Sequence, residues 1–166
     1  MALESHWKIN PKQTRITGDA YYSIMRWTLA PFFRLFLRVK IRGIGNVPKS
    51  GPTILAANHL SHVDPLVVIL ASRRRTHYLA KDGHFRNIAL RTFMRATGQI
   101  ETNRETGGAD ALSSAAVVLH ANRALGIFPE GTRSKKSEPP FLLPGKTGIA
   151  RLAASYPDVP VVPIGL

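Results

Sequence analysis

His59 and Asp64 lie five positions apart, directly after the apolar stretch 53–57, and could form a general-base pair. A neutral imidazole accepts a proton near neutral pH, and a carboxylate on its second ring nitrogen fixes the tautomer and stabilises the imidazolium. The chain has no cysteine and no Gly-x-Ser-x-Gly motif, so the attacking group would be a hydroxyl of the substrate. On spacing alone, a helix-capping Asp64 beside a structural His59 explains the pair equally well.

A second candidate segment follows the apolar run 124–127 and is Phe-Pro-Glu-Gly-Thr-Arg over positions 128–133. A strand that ends at Pro129 and is followed by Gly131 predicts a sharp turn, where glycine permits close approach of the backbone. The turn projects Arg133, whose planar guanidinium suits the oxygens of a phosphate group. The segment therefore predicts a phosphate-recognising turn at the end of a strand.

Together, the two motifs resemble signature blocks of the glycerolipid acyltransferase family, in particular of the 1-acyl-glycerol-3-phosphate acyltransferases. The segments 98–104 and 159–164 resemble the second and fourth blocks of that family, in the right order. Two shorter stretches, 80–82 and 144–153, resemble the lysine-bearing segments that follow the first and third blocks. The resemblance runs from about Val39 to Leu166 and covers most of the chain.

The resemblance implies a reaction and a role for each member of the histidine–aspartate pair. His59 would remove the proton from the free hydroxyl of a lysophospholipid, and Asp64 would orient it. The hydroxyl would attack the carbonyl of an acyl thioester, either acyl-coenzyme A or an acyl carrier protein, in a direct transfer without an acyl-enzyme. With 1-acyl-glycerol 3-phosphate as acceptor, the product is phosphatidic acid. Neither a metal nor an organic cofactor is implied.

The resemblance also implies substrate-binding residues, which shape the acceptor pocket or hold its phosphate: Glu130, Gly131, Thr132, Arg133, Lys81 and Arg104. Arg133 and Lys81 could instead be ordinary surface charges, and Glu130 a structural acceptor within its turn. The chain departs from the family pattern at 82–84 and 101–103, so the acceptor is less defined than the reaction. Glycerol 3-phosphate or another lysolipid stays an alternative acceptor.

Apolar periodicity predicts an alternation of strands and helices. Strands are expected near 39–42, 53–57, 77–80, 98–101, 125–128 and 161–164, and helices near 64–72, 86–96, 107–122 and 146–155. This order predicts an α/β fold, a sandwich with a largely parallel central sheet flanked by helices, as the resemblance also implies. We expect an acyltransferase domain over 39–166, preceded by a basic amphipathic segment over 1–38.

The charge and the N-terminal segment predict a membrane partner. Lysine and arginine number 23 against 10 acidic residues, a net charge of +13, which favours an anionic membrane surface or nucleic acid. Between 21 and 40 large apolar side chains are interleaved with Arg26, Arg34 and Arg38, which fall within about 120° of a helical wheel. Such a helix, kinked at Pro31, would lie in the interface as an anchor rather than span the bilayer.

Without a cleavable signal peptide, we expect a monotopic or peripheral association with the cytoplasmic face of the membrane. Alternatively, the aromatic residues of this segment cover the α/β core. Arg73, Arg74 and Arg75 are expected in a solvated loop, with a phospholipid headgroup contact as the alternative.

Other function classes are weakly supported by the sequence. His59, His62 and Asp64 could be ligands of a metal hydrolase, but no distant motif completes the set. Nucleic-acid binding is suggested by charge alone, and no recognition motif accompanies it. Because family members usually continue beyond the fourth block, an inactive membrane-bound fragment ending at Leu166 is a further alternative.

Overall fold

The computed structural model describes residues 22–24, 27–28, 31, 35–36, 38, 40–81, 88, 92, 98–102 and 108–166. Its strands are β1 (Thr53–Ala57), β2 (Thr76–Lys81), β3 (Ile100–Thr102), β4 (Ala124–Ile127) and β5 (Val161–Ile164). Its helices are α1 (Asp64–Ser72), α2 (Gly108–His120) and α3 (Gly148–Ser155), with a short 3-10 helix at Ile44–Asn46.

The five strands form one sheet in the order β3-β2-β4-β1-β5, and every pairing is parallel. Strands of a parallel sheet are usually buried on both faces and connected by helices, because each chain must return to the same edge. The predicted α/β fold with a parallel central sheet flanked by helices is therefore confirmed.

Two apolar cores lie on the two faces of the sheet, because successive side chains of a strand point to opposite sides. Ile54 of β1 belongs to one core, with Leu119 of α2 and Leu152 of α3. Leu55, the next residue, belongs to the other core, with Val68 of α1. The sheet is thus the middle layer of a three-layer sandwich.

Most predicted elements agree with the structure, with one clear exception. The strand expected near 39–42 is wrong, since the described residues 40–42 are not in a strand. Gly43 has a φ of 70° and turns the chain into the 3-10 helix instead. The helix expected near 86–96 lies outside the described residues except for positions 88 and 92, both helical.

The expected solvated loop at 73–75 is also only partly correct. Arg73 is exposed, but Arg74 is half-buried and Arg75 is 8% exposed. The chain enters β2 at Thr76, so the two later arginines lie against the amino end of the sheet. The sequence alone did not predict that these two arginines are shielded from solvent.

Candidate active site

The carboxyl ends of the parallel strands share one edge of the sheet, which we call the carboxyl edge. His59 follows β1 by two residues, and the segment 128–133 follows β4 directly. Because β1 and β4 are neighbours, with Ala56 opposite Ile127, equal steps along both chains carry His59 to the level of Glu130. Ligands of α/β folds commonly bind at such an edge.

The expected contact between His59 and Asp64 is present. The Nδ1 atom of His59 lies 3.0 Å from Oδ2 of Asp64, and the side chains are 19% and 7% exposed. A carboxylate only accepts hydrogen bonds, so the proton of this bond belongs to Nδ1 when Asp64 is ionised. The Nε2 atom then carries the lone pair that can accept a proton from a substrate.

Asp64 also fixes the loop that carries the histidine. Its Oδ2 atom accepts hydrogen bonds from the backbone N–H groups of Leu60 and Ser61, both at 2.6 Å. Asp64 is the first residue of α1 and is followed by Pro65, a residue type that suits the first helical turn. The positive end of the helix favours a negative charge at this position.

The loop 58–63 between β1 and α1 carries His59, and we call it the histidine loop. Two hydrogen bonds join it to the turn after β4. The backbone N–H of His59 donates to Oε1 of Glu130 at 3.2 Å. The backbone N–H of Ser134 donates to the carbonyl oxygen of His59 at 2.8 Å. The structure therefore brings together three of the residues named from the sequence, His59, Asp64 and Glu130.

Glu130 is 6% exposed, and its two carboxylate oxygens have different surroundings. Oε1 accepts the backbone N–H of His59 on the loop after β1, so this contact joins two loops and does not close the turn of Glu130 itself. Oε2 is buried and has no hydrogen-bond partner among the described residues. A buried carboxylate oxygen without a donor is costly, so this atom can accept a hydrogen bond from a bound ligand.

Gly131 allows the turn to close tightly. Its φ of 66° lies in the left-handed region, and its N–H donates to the carbonyl of Phe128 at 2.9 Å. A Cβ atom at this position would lie 3.1–3.2 Å from the side-chain atoms of Lys146. The backbone of Lys146 is held beside the turn by an N–H bond to the carbonyl of Pro129 at 2.8 Å.

An aromatic stack supports the imidazole, and sequence reasoning missed it. The rings of His59 and Phe128 are stacked with centroids 4.1 Å apart, and Phe128 stacks in turn on Tyr78 of β2 at 5.3 Å. Tyr78 lies opposite Gly126 of β4. A Cβ atom at Gly126 would overlap the Tyr78 ring. A glycine inside an apolar strand is the signal that a large neighbour approaches closely there.

Tyr78 is 5% exposed, and its hydroxyl has no hydrogen-bond partner among the described residues. Burial raises the pKa of this phenol well above 10, and the nearby Tyr22 and Asp64 raise it further. The group therefore stays neutral far into the alkaline range. Tyr78 contributes a rigid ring, not a charge, beneath the histidine.

The remaining residues predicted from the sequence lie at the carboxyl edge or outside the described residues. Arg133 is half-exposed and Thr132 is exposed, both on the turn after β4. Lys81 is the last residue of β2 and therefore lies at the carboxyl edge. Arg104 lies outside the described residues.

The metal-hydrolase alternative receives no support from the part of the chain that the structure describes. Within it, no three His, Cys, Asp or Glu side chains lie close enough to hold a metal ion. His62 is exposed, whereas His59 points to Asp64.

Asn58 is a further positioning residue that the sequence reading left without a role. Its side chain receives the backbone N–H of Leu166 at 2.7 Å and donates to the carbonyl of Leu166 at 3.3 Å. This pair of bonds ties the residue before His59 to the segment after β5. The histidine loop is thus held from the β4 side and from the β5 side.

Comparison with known proteins identifies the family of this chain. The sequence model of the Acyltransferase family matches residues 38–166. The chain belongs to the Acyltransferase family.

Several curated relatives are named 1-acyl-sn-glycerol-3-phosphate acyltransferase. That of Borreliella burgdorferi is 32% identical over 101 residues, which cover 60% of this chain and 40% of the relative. That of Saccharomyces cerevisiae is 30% identical over 158 residues, covering 90% of this chain and 47% of the relative. The chain therefore spans less than half the length of these two relatives.

One solved structure has the same fold. The crystal structure of the 1-acyl-sn-glycerophosphate (LPA) acyltransferase from Thermotoga maritima superimposes with a TM-score of 0.66 at 23% identity. The alignment covers 92% of this chain and 62% of that chain. At this identity the superposition shows a shared fold and nothing more.

Proposed function

We propose that this chain transfers a fatty acyl group from an acyl thioester to the free hydroxyl of 1-acyl-glycerol 3-phosphate, giving phosphatidic acid. The observation that carries the proposal is the 3.0 Å contact between His59 and Asp64, placed beside the turn that contains Glu130. Membership of the Acyltransferase family and the shared name of the curated relatives support the reaction class.

In the proposed mechanism His59 is the general base and no acyl-enzyme forms. Its Nε2 atom takes the proton of the acceptor hydroxyl while the hydroxyl oxygen attacks the thioester carbonyl. Asp64 stabilises the imidazolium that results. Collapse of the tetrahedral intermediate breaks the carbon–sulfur bond, and the imidazolium returns its proton to the leaving thiolate. The products are an ester and a free thiol.

The proposed acceptor site is formed by the turn after β4. Arg133, with Lys81 and Arg104, holds the phosphate, because guanidinium and ammonium groups form charge-assisted hydrogen bonds with its oxygens. Glu130, Gly131 and Thr132 shape the wall of the acceptor pocket beside the phosphate. The donor, acyl-coenzyme A or an acyl carrier protein, is a substrate, and the proposed chemistry needs no cofactor. Glycerol 3-phosphate and other lysolipids are the alternative acceptors.

We also propose a monotopic or peripheral association with the cytoplasmic face of a membrane. The support is a set of helical residues in the N-terminal segment whose large apolar side chains are exposed by 64–82%: Ile24, Trp27, Leu35 and Phe36. Apolar side chains of this size are normally covered, and an interfacial helix buries them at the boundary between headgroups and acyl chains. Within the residues that the structure describes, no helix is both long and apolar enough to cross a bilayer.

The test is an assay of the whole chain with lysophosphatidic acid in anionic vesicles and acyl-coenzyme A as donor. Thiol release and mass detection of the lipid product are followed together, since hydrolysis releases thiol without forming phosphatidic acid. Parallel reactions contain acylated acyl carrier protein as the donor, or glycerol 3-phosphate as the acceptor. Formation of phosphatidic acid supports the proposal. Thiol release without lipid product, or no turnover with any pair of substrates, contradicts it.

A further inference from the structure

A cationic pocket lies at the opposite edge of the sheet from His59. It has a volume of about 380 Å³, and we define it by six of its lining residues: Lys49, Gly51, Arg74, Arg75, Asn122 and Arg123. Thr53, Thr76 and Ala124, the first residues of β1, β2 and β4, are paired beside it. The length of β1, about 13 Å at 3.3 Å per residue, therefore lies between the cationic pocket and the histidine loop.

The charged side chains among the described lining residues of the pocket are all basic. Four of its lining residues carry a positive charge, and none of the lining residues that the structure describes is acidic. Like charges in one concave site repel one another and raise the local concentration of anions. The volume falls within the range of about 300–1,000 Å³ typical of small-molecule sites, so it is larger than a simple inorganic ion needs.

Arg74 is held rigidly by neutral groups. Its guanidinium donates to the carbonyl oxygens of Pro48 at 2.8 Å and Gly51 at 2.5 Å, both on the segment before β1. These acceptors fix the side chain without neutralising its charge. Burial, followed by the charge of Arg123, lowers the pKa of Arg74, which agrees with an electrostatic cost that a bound anion would reduce.

Arg75 is fixed by a different contact. Its guanidinium carbon lies 5.4 Å from the centroid of the buried Tyr22 ring, a cation–π arrangement. The hydroxyl of Tyr22 donates to the carbonyl of Arg74 at 3.2 Å, so the ring is attached to the same strand entrance. Two of the four cations are thus positioned before any ligand arrives, which lowers the entropic cost of binding.

From these observations we infer that the cationic pocket binds the phosphate group of a phosphate ester at a site separate from the carboxyl edge. Its chemistry fits a phospholipid headgroup and a soluble phosphomonoester equally. Fixed guanidinium groups suit phosphate because they offer several donors in a plane. The inference does not depend on acyl transfer, because the two sites share no residue.

The test uses amide NMR signals of the full chain, which separate this pocket from the carboxyl edge. Inorganic phosphate is titrated at constant ionic strength, with chloride as the reference anion, and the signals of Gly51 and Asn122 are followed. We expect a saturable, phosphate-specific shift of both. Arg123→Gln should weaken this binding about tenfold, because one charge-assisted contact is removed, while Arg151→Gln, the same charge change at an exposed position of α3, should not.

Two further arms identify the source of the phosphate. Glycerol 3-phosphate is titrated in the same way, and sedimentation measures partition onto phosphatidylcholine vesicles with and without phosphatidic acid. Weaker partition of Arg123→Gln than of Arg151→Gln onto the phosphatidic acid vesicles assigns a lipid headgroup. Equal partition with weakened glycerol 3-phosphate binding assigns a soluble ester. Absence of a phosphate-specific shift at Gly51 and Asn122, or equal phosphate affinity of the two variants, overturns the inference.

Discussion

At the scale of single residues, Asp64 holds both the backbone of the histidine loop and the imidazole of His59. One oxygen atom accepts hydrogen bonds from the His59 ring and from the N–H groups of Leu60 and Ser61. Asp64 is the first residue of α1 and not its N-cap, and Leu60 and Ser61 precede the helix, so the interpretation of Asp64 as a helix cap is wrong. Its carboxylate instead holds the loop before the helix and contacts the imidazole. The spacing of His59 and Asp64 alone left both interpretations open, and the segment 128–133 was needed to favour the base pair.

Arg133 offers a test of how the acceptor is held. The proposed site uses it to bind phosphate, and loss of a hydrogen bond to a charged group costs about 1.5–3 kcal/mol. Arg133→Gln should therefore raise the KM for a phosphate-bearing acceptor by about 10- to 100-fold with little change in kcat. Steady-state kinetics with Lys135→Gln as the neighbouring control measures this. An unchanged KM in Arg133→Gln would remove the residue from the acceptor site.

The raised pKa of Tyr78 predicts that the folded chain loses stability at alkaline pH. Because its pKa is raised in the folded state, the unfolded chain binds fewer protons than the folded chain above about pH 10. This group therefore lowers the free energy of unfolding as pH rises, by up to about 1.4 kcal/mol per pH unit. In Tyr78→Phe that part of the slope should disappear, while turnover is retained because the ring still stacks on Phe128.

Urea unfolding of both proteins between about pH 9 and 11 checks this prediction. Below about pH 9 the difference in free energy of unfolding between the two proteins should be constant, since the phenol is protonated in both states. Parallel slopes for wild type and Tyr78→Phe above pH 10 would mean that the tyrosine ionises normally in the folded chain.

At the scale of elements, strand register decides which side chains meet. The sequence pattern predicted β1, β4 and β5 within a residue or so, because apolar runs and flanking turn residues are local signals. It did not predict that Tyr78 and Phe128 stack beneath His59, because that contact depends on which strands are neighbours. The wrong strand near 39–42 has a related cause: short alternation favours a strand, but Gly43 turns the chain away.

Gly126 tests whether strand packing supports the histidine. A Cβ atom there would overlap the Tyr78 ring inside the sheet, and overpacking of a core typically costs about 1–3 kcal/mol. Gly126→Ala should lower the free energy of unfolding by about that amount and reduce turnover, because the stack below His59 is displaced. Gly45→Ala is the control, since a Cβ atom there meets no heavy atom within 4 Å. Equal stability of the two variants would contradict this packing.

At the scale of the whole molecule, net charge and exposed apolar residues predict how the chain meets a membrane. The net charge is +13, and Trp27 is 82% exposed. Anionic vesicles should shift the emission of Trp27 to shorter wavelength, measured in a Trp7→Phe background, and added salt should weaken the binding. Trp27→Ala should partition less strongly onto the same vesicles. An emission spectrum that phosphatidylserine vesicles leave unchanged would contradict an interfacial position for this segment.

The central claim concerns one imidazole, and paired histidine variants test it most directly. Phosphatidic acid formation is measured for wild type, His59→Ala and His62→Ala, with vesicle binding as the control for folding and membrane association. Loss of a general base lowers rates by about 10²- to 10⁴-fold, so His59→Ala should lose nearly all turnover and still bind vesicles. His62→Ala should retain turnover, because His62 lies on the same loop but its side chain is exposed. Turnover by His59→Ala at the wild-type rate would contradict the account.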